Sequence, residues 1–239
     1  MEFPRLEVVV PDILSLPDEE YALLRRQGLG ASDASVYLGL QSKWKTKANL
    51  IAEKQRTELT DEERAIGQKE VVRKGKDLEP LILSKASTML GAAITKPTAM
   101  FKIKEYPYLT INFDGVMDTV DGPIPVEAKF VSQYGDKYYN REHAYMREFG
   151  NLNPDNTLHK FPIQFIEYCE EQAQIIGIPA YYYAQVQQQM LGLGSSYGYL
   201  SALHDKGWEL CIYRVPRDET VIRQIIMQGY STWNLIQKK

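Results

Sequence analysis

Asp114 is followed thirteen residues later by Glu127-Ala128-Lys129. Both acids fall in β-like runs, Leu109-Thr110-Ile111-Asn112-Phe113-Asp114-Gly115-Val116 and Ile124-Pro125-Val126-Glu127-Ala128-Lys129-Phe130. Side chains alternate faces along a strand, so Glu127 and Lys129 project to the same side. Two carboxylates and an ammonium then meet at the edge of a small sheet. Phosphodiester hydrolysis needs an activated water, a Lewis acid on the phosphoryl oxygens and charge to stabilise the pentavalent state. Magnesium held by two or three carboxylates, with several waters retained, supplies the first two. A lysine close to the metal orients or deprotonates the water, because burial and a nearby cation lower its pKa. The plain alternative is a surface hairpin with a cross-strand salt bridge, and the three residues alone leave both open.

Two further segments add chemistry. Gly75-Lys76-Asp77-Leu78-Glu79-Pro80 lies late in a long helical stretch, where Glu79 is either an acid for the cluster or a solvated helix glutamate. In Tyr181-Tyr182-Tyr183-Ala184-Gln185-Val186-Gln187-Gln188-Gln189-Met190, an inward glutamine is costly unless hydrogen-bonded. Gln187 lies three residues before Met190 and four before Leu191, beside an apolar face. A structural amide network and a hold on the lysine or the nucleophilic water are both physical readings of it.

The elements that must position these residues follow from pattern. Residues 18–27 read as a short helix with acids first and arginines last. Gly28-Leu29-Gly30-Ala31 breaks it, and Ser32 or Asp33 caps a second helix reaching Leu38. A third spans Thr46–Gln55. A long helical stretch runs from Asp61 to Leu90, interrupted near Gly67 or Gly75. Strands are expected at 99–104, 109–118 and 124–130, with Asp121-Gly122-Pro123 turning the last two into a hairpin. Residues 131–160 are polar, rich in Tyr and Asn, and read as a long loop or insertion. Helix resumes over Phe161–Ile176 and again from Pro179 to Leu191, strands follow at 196–203 and 208–215, and a helix closes 218–237. On that last helix Val221, Ile222, Ile225, Ile226, Trp233 and Ile236 form a stripe suited to core or subunit packing.

The bulk numbers narrow the class. The 239 residues suffice for one large domain, and 44% apolar with 25% charged residues is ordinary for a globular protein. No apolar run approaches a membrane span, and no secretory signal is evident. The two cysteines, Cys169 and Cys211, fit a reducing cytosol and are too few for a four-cysteine zinc or iron–sulfur site. The net charge of −3 argues against wholesale coating of DNA but leaves room for a local basic patch. Trp44 with Lys43, Lys45 and Lys47 forms one small patch of that kind, read as a solvated helix entry or a backbone phosphate contact. His143, His159 and His204 show no metal-ligand spacing.

Arg26-Gln27-Gly28-Leu29-Gly30-Ala31-Ser32-Asp33, Gly75-Lys76-Asp77-Leu78-Glu79, Asp114-Gly115, Glu127-Ala128-Lys129 and Tyr183-Ala184-Gln185-Val186-Gln187-Gln188-Gln189-Met190 occur in this order. Together they resemble the YqaJ-like viral recombinase and lambda exonuclease family of the PD-(D/E)xK nuclease superfamily. The resemblance implies a single α/β nuclease domain over 1–239, with a central mixed sheet flanked by helices and an insertion at 131–160. It implies Asp114 and Glu127 as magnesium ligands, with the Ala128 backbone carbonyl and Glu79 completing the set and manganese able to substitute. Lys129 would activate or position the water, and Gln187 would support it. Arg26 and Ser32 would grip the 5′-terminal phosphate, with Arg25 the competitor for Arg26. Asn112 stands where the family has serine, in Asn112-Phe113-Asp114 against Ser-Pro-Asp, and is expected to replace its polar contact.

The implied activity is magnesium-dependent 5′-to-3′ degradation of linear double-stranded DNA, leaving 3′ single strands for phage-type recombination. A homotrimer, a single-strand annealing protein as partner and the bacterial host cytoplasm are implied with it. A restriction or repair endonuclease on the same fold, and a catalytically inactive DNA-binding relative, are the alternatives. The surplus at 131–160, with Tyr138, Tyr139, Arg141, His143 and Arg147, is expected to contact a neighbouring subunit or decorate the surface rather than line a DNA channel.

Overall fold

Two β-sheets, joined where the chain breaks stride at Asn112-Phe113-Asp114, carry the residues of interest. The computed structural model describes residues 3–40, 45–67, 69–148, 174–175 and 177–238. In chain order, β1 (Leu6–Val10) precedes α1 (Asp18–Leu24), whose first turn sets Asp18, Glu19 and Glu20 against the positive end of the helix dipole. Arg25–Gln27 tighten into a 3-10 turn, β2 (Leu29–Gly30) follows, and a second 3-10 turn leads into the short α2 (Ala34–Tyr37). Thr46 caps α3 (Lys47–Gln55), its Oγ1 accepting from the Asn49 amide at 3.1 Å. The stretch expected from Asp61 to Leu90 divides into α4 (Asp61–Gly67) and α5 (Glu70–Leu90), so α5 runs straight through Gly75. Gly91, at φ +65°, ends α5 in the left-handed conformation that glycine takes without steric penalty.

The strands β3 (Ile94–Thr95), β4 (Met100–Ile103), β5 (Tyr106–Ile111), β6 (Gly115–Thr119) and β7 (Gly122–Val131) follow. The single strand expected over 109–118 is therefore two. After β8 (Met146–Arg147) come β9 (Gln174–Ile175), β10 (Ile178–Pro179), α6 (Ala180–Leu193), β11 (Tyr197–His204), β12 (Glu209–Pro216) and α7 (Glu219–Gln237). The helix expected over Phe161–Ile176 lies outside the described residues except at Gln174–Ile175, which pair as a strand with Ile178–Pro179. Asp218 caps α7, its Oδ1 accepting from Thr220 and Val221 amides at 2.8 and 3.1 Å. Neither β1 nor β3 was expected from pattern. Both are edge strands, and in β1 only Leu6 is buried, so no alternation marks it.

One sheet has the order β1-β4-β5-β2, and the other β3-β6-β7-β11-β12-β8. In the larger sheet β7 and β11 run parallel, with Glu127 opposite Leu200 and Lys129 opposite Ala202, while the other pairs are antiparallel. Parallel neighbours need a long crossover, and α6 lies within it. Ile82, Leu83 and Ala86 of α5 pack on one face of this sheet against Met117, Ile124, Val126, Ala128 and Leu203. Burial of each large aliphatic side chain there is worth about 1.5–3 kcal/mol. On the other face α6 is wedged between the sheets. Its Ala184, Val186 and Met190 join one core with Leu200 and Ala202 on one side and Leu29, Leu109 and Ile111 on the other. The α7 stripe is core as expected, with Val221, Ile222, Ile225 and Ile236 buried. No helix among the described residues is long and apolar enough to cross a membrane.

Candidate active site

Asp114 occupies the joint between β5 and β6, where the chain leaves one sheet for the other. Phe113 anchors the joint, its ring 5.9 Å from both Phe3 and Phe101. Gly115 follows because the space behind the joint is taken: a Cβ there would stand 2.6 Å from Ile94 Cγ2 and 3.0 Å from Leu83 Cδ2. Pairing of β6 with β7 stops at Gly115 opposite Val126. Beyond it the Ala128 amide donates to Asp114 Oδ2 at 3.0 Å. The N–H and C=O of one strand residue leave by the same edge, so the Ala128 carbonyl also faces the Asp114 side.

Glu127 and Lys129 share a face, as strand alternation requires, and Lys129 Nζ bonds Glu127 Oε1 directly. The same Nζ lies 3.7 Å from Asp114 Oδ2. The Glu127 side chain is sealed from solvent, whereas Asp114 and Lys129 stay about a quarter and a fifth exposed, which puts the mouth of the site on their side. Burial, then the Asp114 charge, push the Glu127 pKa up to about 7 against the opposing pull of Lys129. Burial alone would lower the lysine, but Glu127 and Asp114 hold its ammonium well above the usual lysine range. The two carboxylates beside it thus outweigh burial and favour the ammonium.

The cover is one face of α6. Gln185 Nε2 donates to Glu127 Oε1, Gln189 Nε2 donates to Oε2 at 2.6 Å, and Lys129 Nζ sits 5.3 Å from the centre of the Tyr182 ring. Residues 182, 185 and 189 follow the three- and four-residue spacing that aligns side chains along a helix. Gln187 is corrected by the same geometry. Two positions on from Gln185 is about 200° round the helix, and its amide turns away to bond Pro216 O at 2.7 Å and the Asp218 amide at 2.9 Å. It ties β12 to the start of α7 and does not reach Lys129. Gln188 holds Leu29 O and Thr110 O, each at 3.0 Å, and accepts from Tyr37 OH. Spacing alone puts Gln185 one turn from both Gln188 and Gln189, and their hydrogen-bond partners separate the two.

Glu79 is the second correction. It lies on α5 one turn before Leu83, and its carboxylate is paired with Lys96 at 2.5 Å instead of joining Asp114 and Glu127. Among the described residues no three His, Cys, Asp or Glu side chains come together as a metal cluster.

The two arginines line one cavity and differ in burial. Arg26 is 7% exposed, and its guanidinium is consumed by Arg56 O, Glu58 O and Glu63 Oε1 at 3.0, 2.9 and 3.0 Å. That buried fork holds the α3–α4 connection. Arg25, on the open side of the same 3-10 turn, reaches Ser32 Oγ at 3.0 Å, and both arginines line a cavity of about 420 Å³ with Ser32, Lys45 and Lys54. Beneath them Asp33 accepts from the Gly30 amide at 3.0 Å and from Lys54 at 2.7 Å. Burial works against the Asp33 charge, but Lys54, Lys45 and Arg25 together hold its pKa below the usual carboxylate range. Asn112 joins this pocket to the acid pair. Its Nδ2 donates to Tyr21 OH at 2.6 Å, and the Tyr21 ring lies 5.9 Å from the Arg25 guanidinium. Lys43 and Trp44 lie outside the described residues, while Lys45 pairs with Glu53 at 2.5 Å.

The described part of the polar segment, up to residue 148, is tied to the sheet. Arg141 bridges Asp136 and Glu209 at 2.6 and 3.0 Å, and Arg147 bonds Glu209 at 2.8 Å. His204 is buried with Nδ1 2.7 Å from Asp136, and burial first, then Arg141, lower its pKa. His159 lies outside the described residues.

Comparison with known proteins places the chain in a family. The family model described as a YqaJ-like viral recombinase domain matches residues 20–194. An uncharacterized protein YqaJ from Bacillus subtilis (strain 168) is 30% identical over 124 residues, which are 52% of this chain and 37% of that relative. The alkaline exonuclease LHK-Exo from Laribacter hongkongensis superposes with a TM-score of 0.58 at 16% identity, covering 91% of this chain and 92% of that one. The same enzyme in complex with dAMP superposes equally well. At that identity the likeness shows the fold alone, a mixed α/β core.

Proposed function

We propose that this chain, which belongs to the YqaJ-like viral recombinase family, is a metal-dependent deoxyribonuclease that degrades linear duplex DNA from its 5′ ends. The observation that carries the reading is the convergence of two carboxylates and a lysine. Asp114, Glu127 and Lys129 meet at the seam of the sheets, and the Asn112–Tyr21 hydrogen bond ties the same strand end to the helix that precedes Arg25. The donor set suits magnesium. Two carboxylates and the Ala128 carbonyl on one edge leave positions for waters and a phosphate oxygen, and manganese accepts the same hard oxygen donors. When bound, the metal supplies a Lewis acid and an acidified water.

The chain's own groups do the rest. Asp114 and Glu127 hold the cation, with Glu127 fixed by its hydrogen bonds to Lys129, Gln185 and Gln189. Lys129 positions the attacking water, and its ammonium offsets negative charge developing on the phosphorus oxygens. Arg25 presents a guanidinium fork, and with Ser32 it grips the terminal phosphate while Asp33 and Lys54 fix the floor. Degradation in the 5′-to-3′ direction, the 3′ overhang, a trimeric assembly and a single-strand annealing partner are supported by family resemblance, and we propose them on that basis.

The test is one digestion assay. Purified protein is incubated with 5′-phosphorylated linear duplex and with closed circular duplex, each with Mg²⁺ and with EDTA. We expect Mg²⁺-dependent loss of the linear DNA alone, reduced at least about 10²-fold in Lys129→Ala and Asp114→Asn proteins. Nicking of the circle at an equal rate would defeat the exonuclease reading. Inertness of the native protein on every DNA would defeat the enzyme reading.

A further inference from the structure

We infer that Gln189 is a positioning residue for the metal centre, setting the orientation of the Glu127 carboxylate and thereby the affinity of the acid pair for a divalent cation. This rests on the reading of Asp114 and Glu127 as metal ligands. The two oxygens of Glu127 live in different surroundings. Oε1 meets Lys129 Nζ and Gln185 Nε2, and the Lys129 side chain keeps 21% of its surface open. Oε2 meets Gln189 Nε2, and there both partners are sealed, Glu127 at 0% and Gln189 at 1% exposure.

The other end of the Gln189 amide is the telling part. Its Oε1 is buried and has no hydrogen-bond partner among the described residues. An orphaned buried acceptor is destabilising, and packing alone would favour another apolar side chain here, like the neighbouring Met190, Leu191 and Leu193. A carboxylate only accepts hydrogen bonds, so the amide must turn its nitrogen to Glu127 and strand its oxygen. Gln189 thus gives up one hydrogen bond to restrain a ligand that makes no contact with solvent. Hydrogen-bonded groups behind metal ligands orient them and hold up their affinity in this way.

The variant Gln189→Met keeps side-chain volume and removes the donor together with the orphaned oxygen. Mn²⁺ binding to the DNA-free protein is measured by paramagnetic resonance of the free ion, beside thermal melting without metal and cleavage over a Mn²⁺ titration. We expect Mn²⁺ affinity to fall about 10- to 100-fold, with melting within a few degrees of native. We also expect cleavage at saturating Mn²⁺ to return to within about threefold of native, so that the half-saturating Mn²⁺ concentration moves and the maximal rate does not. Native-like Mn²⁺ affinity in the variant would overturn the inference and leave the nuclease reading standing. A variant that misfolds or melts far below native would assign Gln189 a structural role and also overturn it. Native protein that binds no Mn²⁺ would overturn the metal-centre reading, and the role of Gln189 with it.

Discussion

The carboxylate centre and the cation-lined pocket are built in opposite ways. In the centre, regular elements decide who meets whom: strand alternation pairs Glu127 with Lys129, and one face of α6 lays Tyr182, Gln185 and Gln189 over them. In the pocket a 3-10 turn decides, and it sends two consecutive arginines in different directions. Arg26 goes inward to three acceptors at the wall of the cavity, while Arg25 stays at the surface of the same cavity beside Ser32. Residue type is therefore informative in the first region and ambiguous in the second, where burial alone separates two arginines that line one cavity.

This contrast can be broken by measurement. Arg26→Ala would leave Glu63 and two backbone carbonyls without their partner, and we expect it to cost about 3–5 kcal/mol in urea denaturation. Arg25→Ala should stay within about 0.5 kcal/mol of native in the same experiment. Equal losses in the two proteins would erase the distinction. The same logic sharpens the row of glutamines: Gln187→Met leaves the Asp218 amide and Pro216 carbonyl unpaired, so we expect a loss of about 1–3 kcal/mol with a cleavage rate near native. A collapse of activity at unchanged stability would return Gln187 to the catalytic group.

A smaller effect concerns acid. Burial alone would raise the Glu63 pKa, but hydrogen bonds from the Thr60 amide and Arg56, with the Arg26 charge, hold it at about 2, below the ordinary 4.5. A depressed folded-state pKa stabilises the protein fully above the unfolded value and loses that stabilisation as pH falls toward the folded one. The native melting temperature should therefore drop further between about pH 5 and pH 2 than that of Glu63→Gln. Parallel curves for the two proteins would show that the Arg26 fork does not depend on this charge.

Much of this was legible in the chain, and what was not has physical causes. The β6–β7 hairpin, the shared face of Glu127 and Lys129, and the helices α1, α3, α6 and α7 follow from alternation, turn residues and caps. The split of β5 from β6 does not, because Ile111-Asn112-Phe113 keeps the apolar–polar alternation of a strand while the chain changes sheets. Glu79 was credited to the cluster because its charge suited the metal, and nothing local announced Lys96 as its partner. Three consecutive glutamines read alike, yet 187, 188 and 189 serve an α7 junction, a β2–β5 link and the Glu127 carboxylate. Long-range partners assign such roles, and periodicity reports only which side a residue faces.

The parallel pairing of β7 with β11 also orders events in time. Asp114 meets the Ala128 amide across a separation of 14 residues, whereas Gln189 reaches Glu127 across 62, and loop-closure entropy grows with that distance. The hairpin bearing both acids and the lysine is the local event, and α6 with β11 is the late one. Glu127 therefore owes its burial to contacts distant in the chain, and the local hairpin brings the acids and the lysine together without the cover of α6.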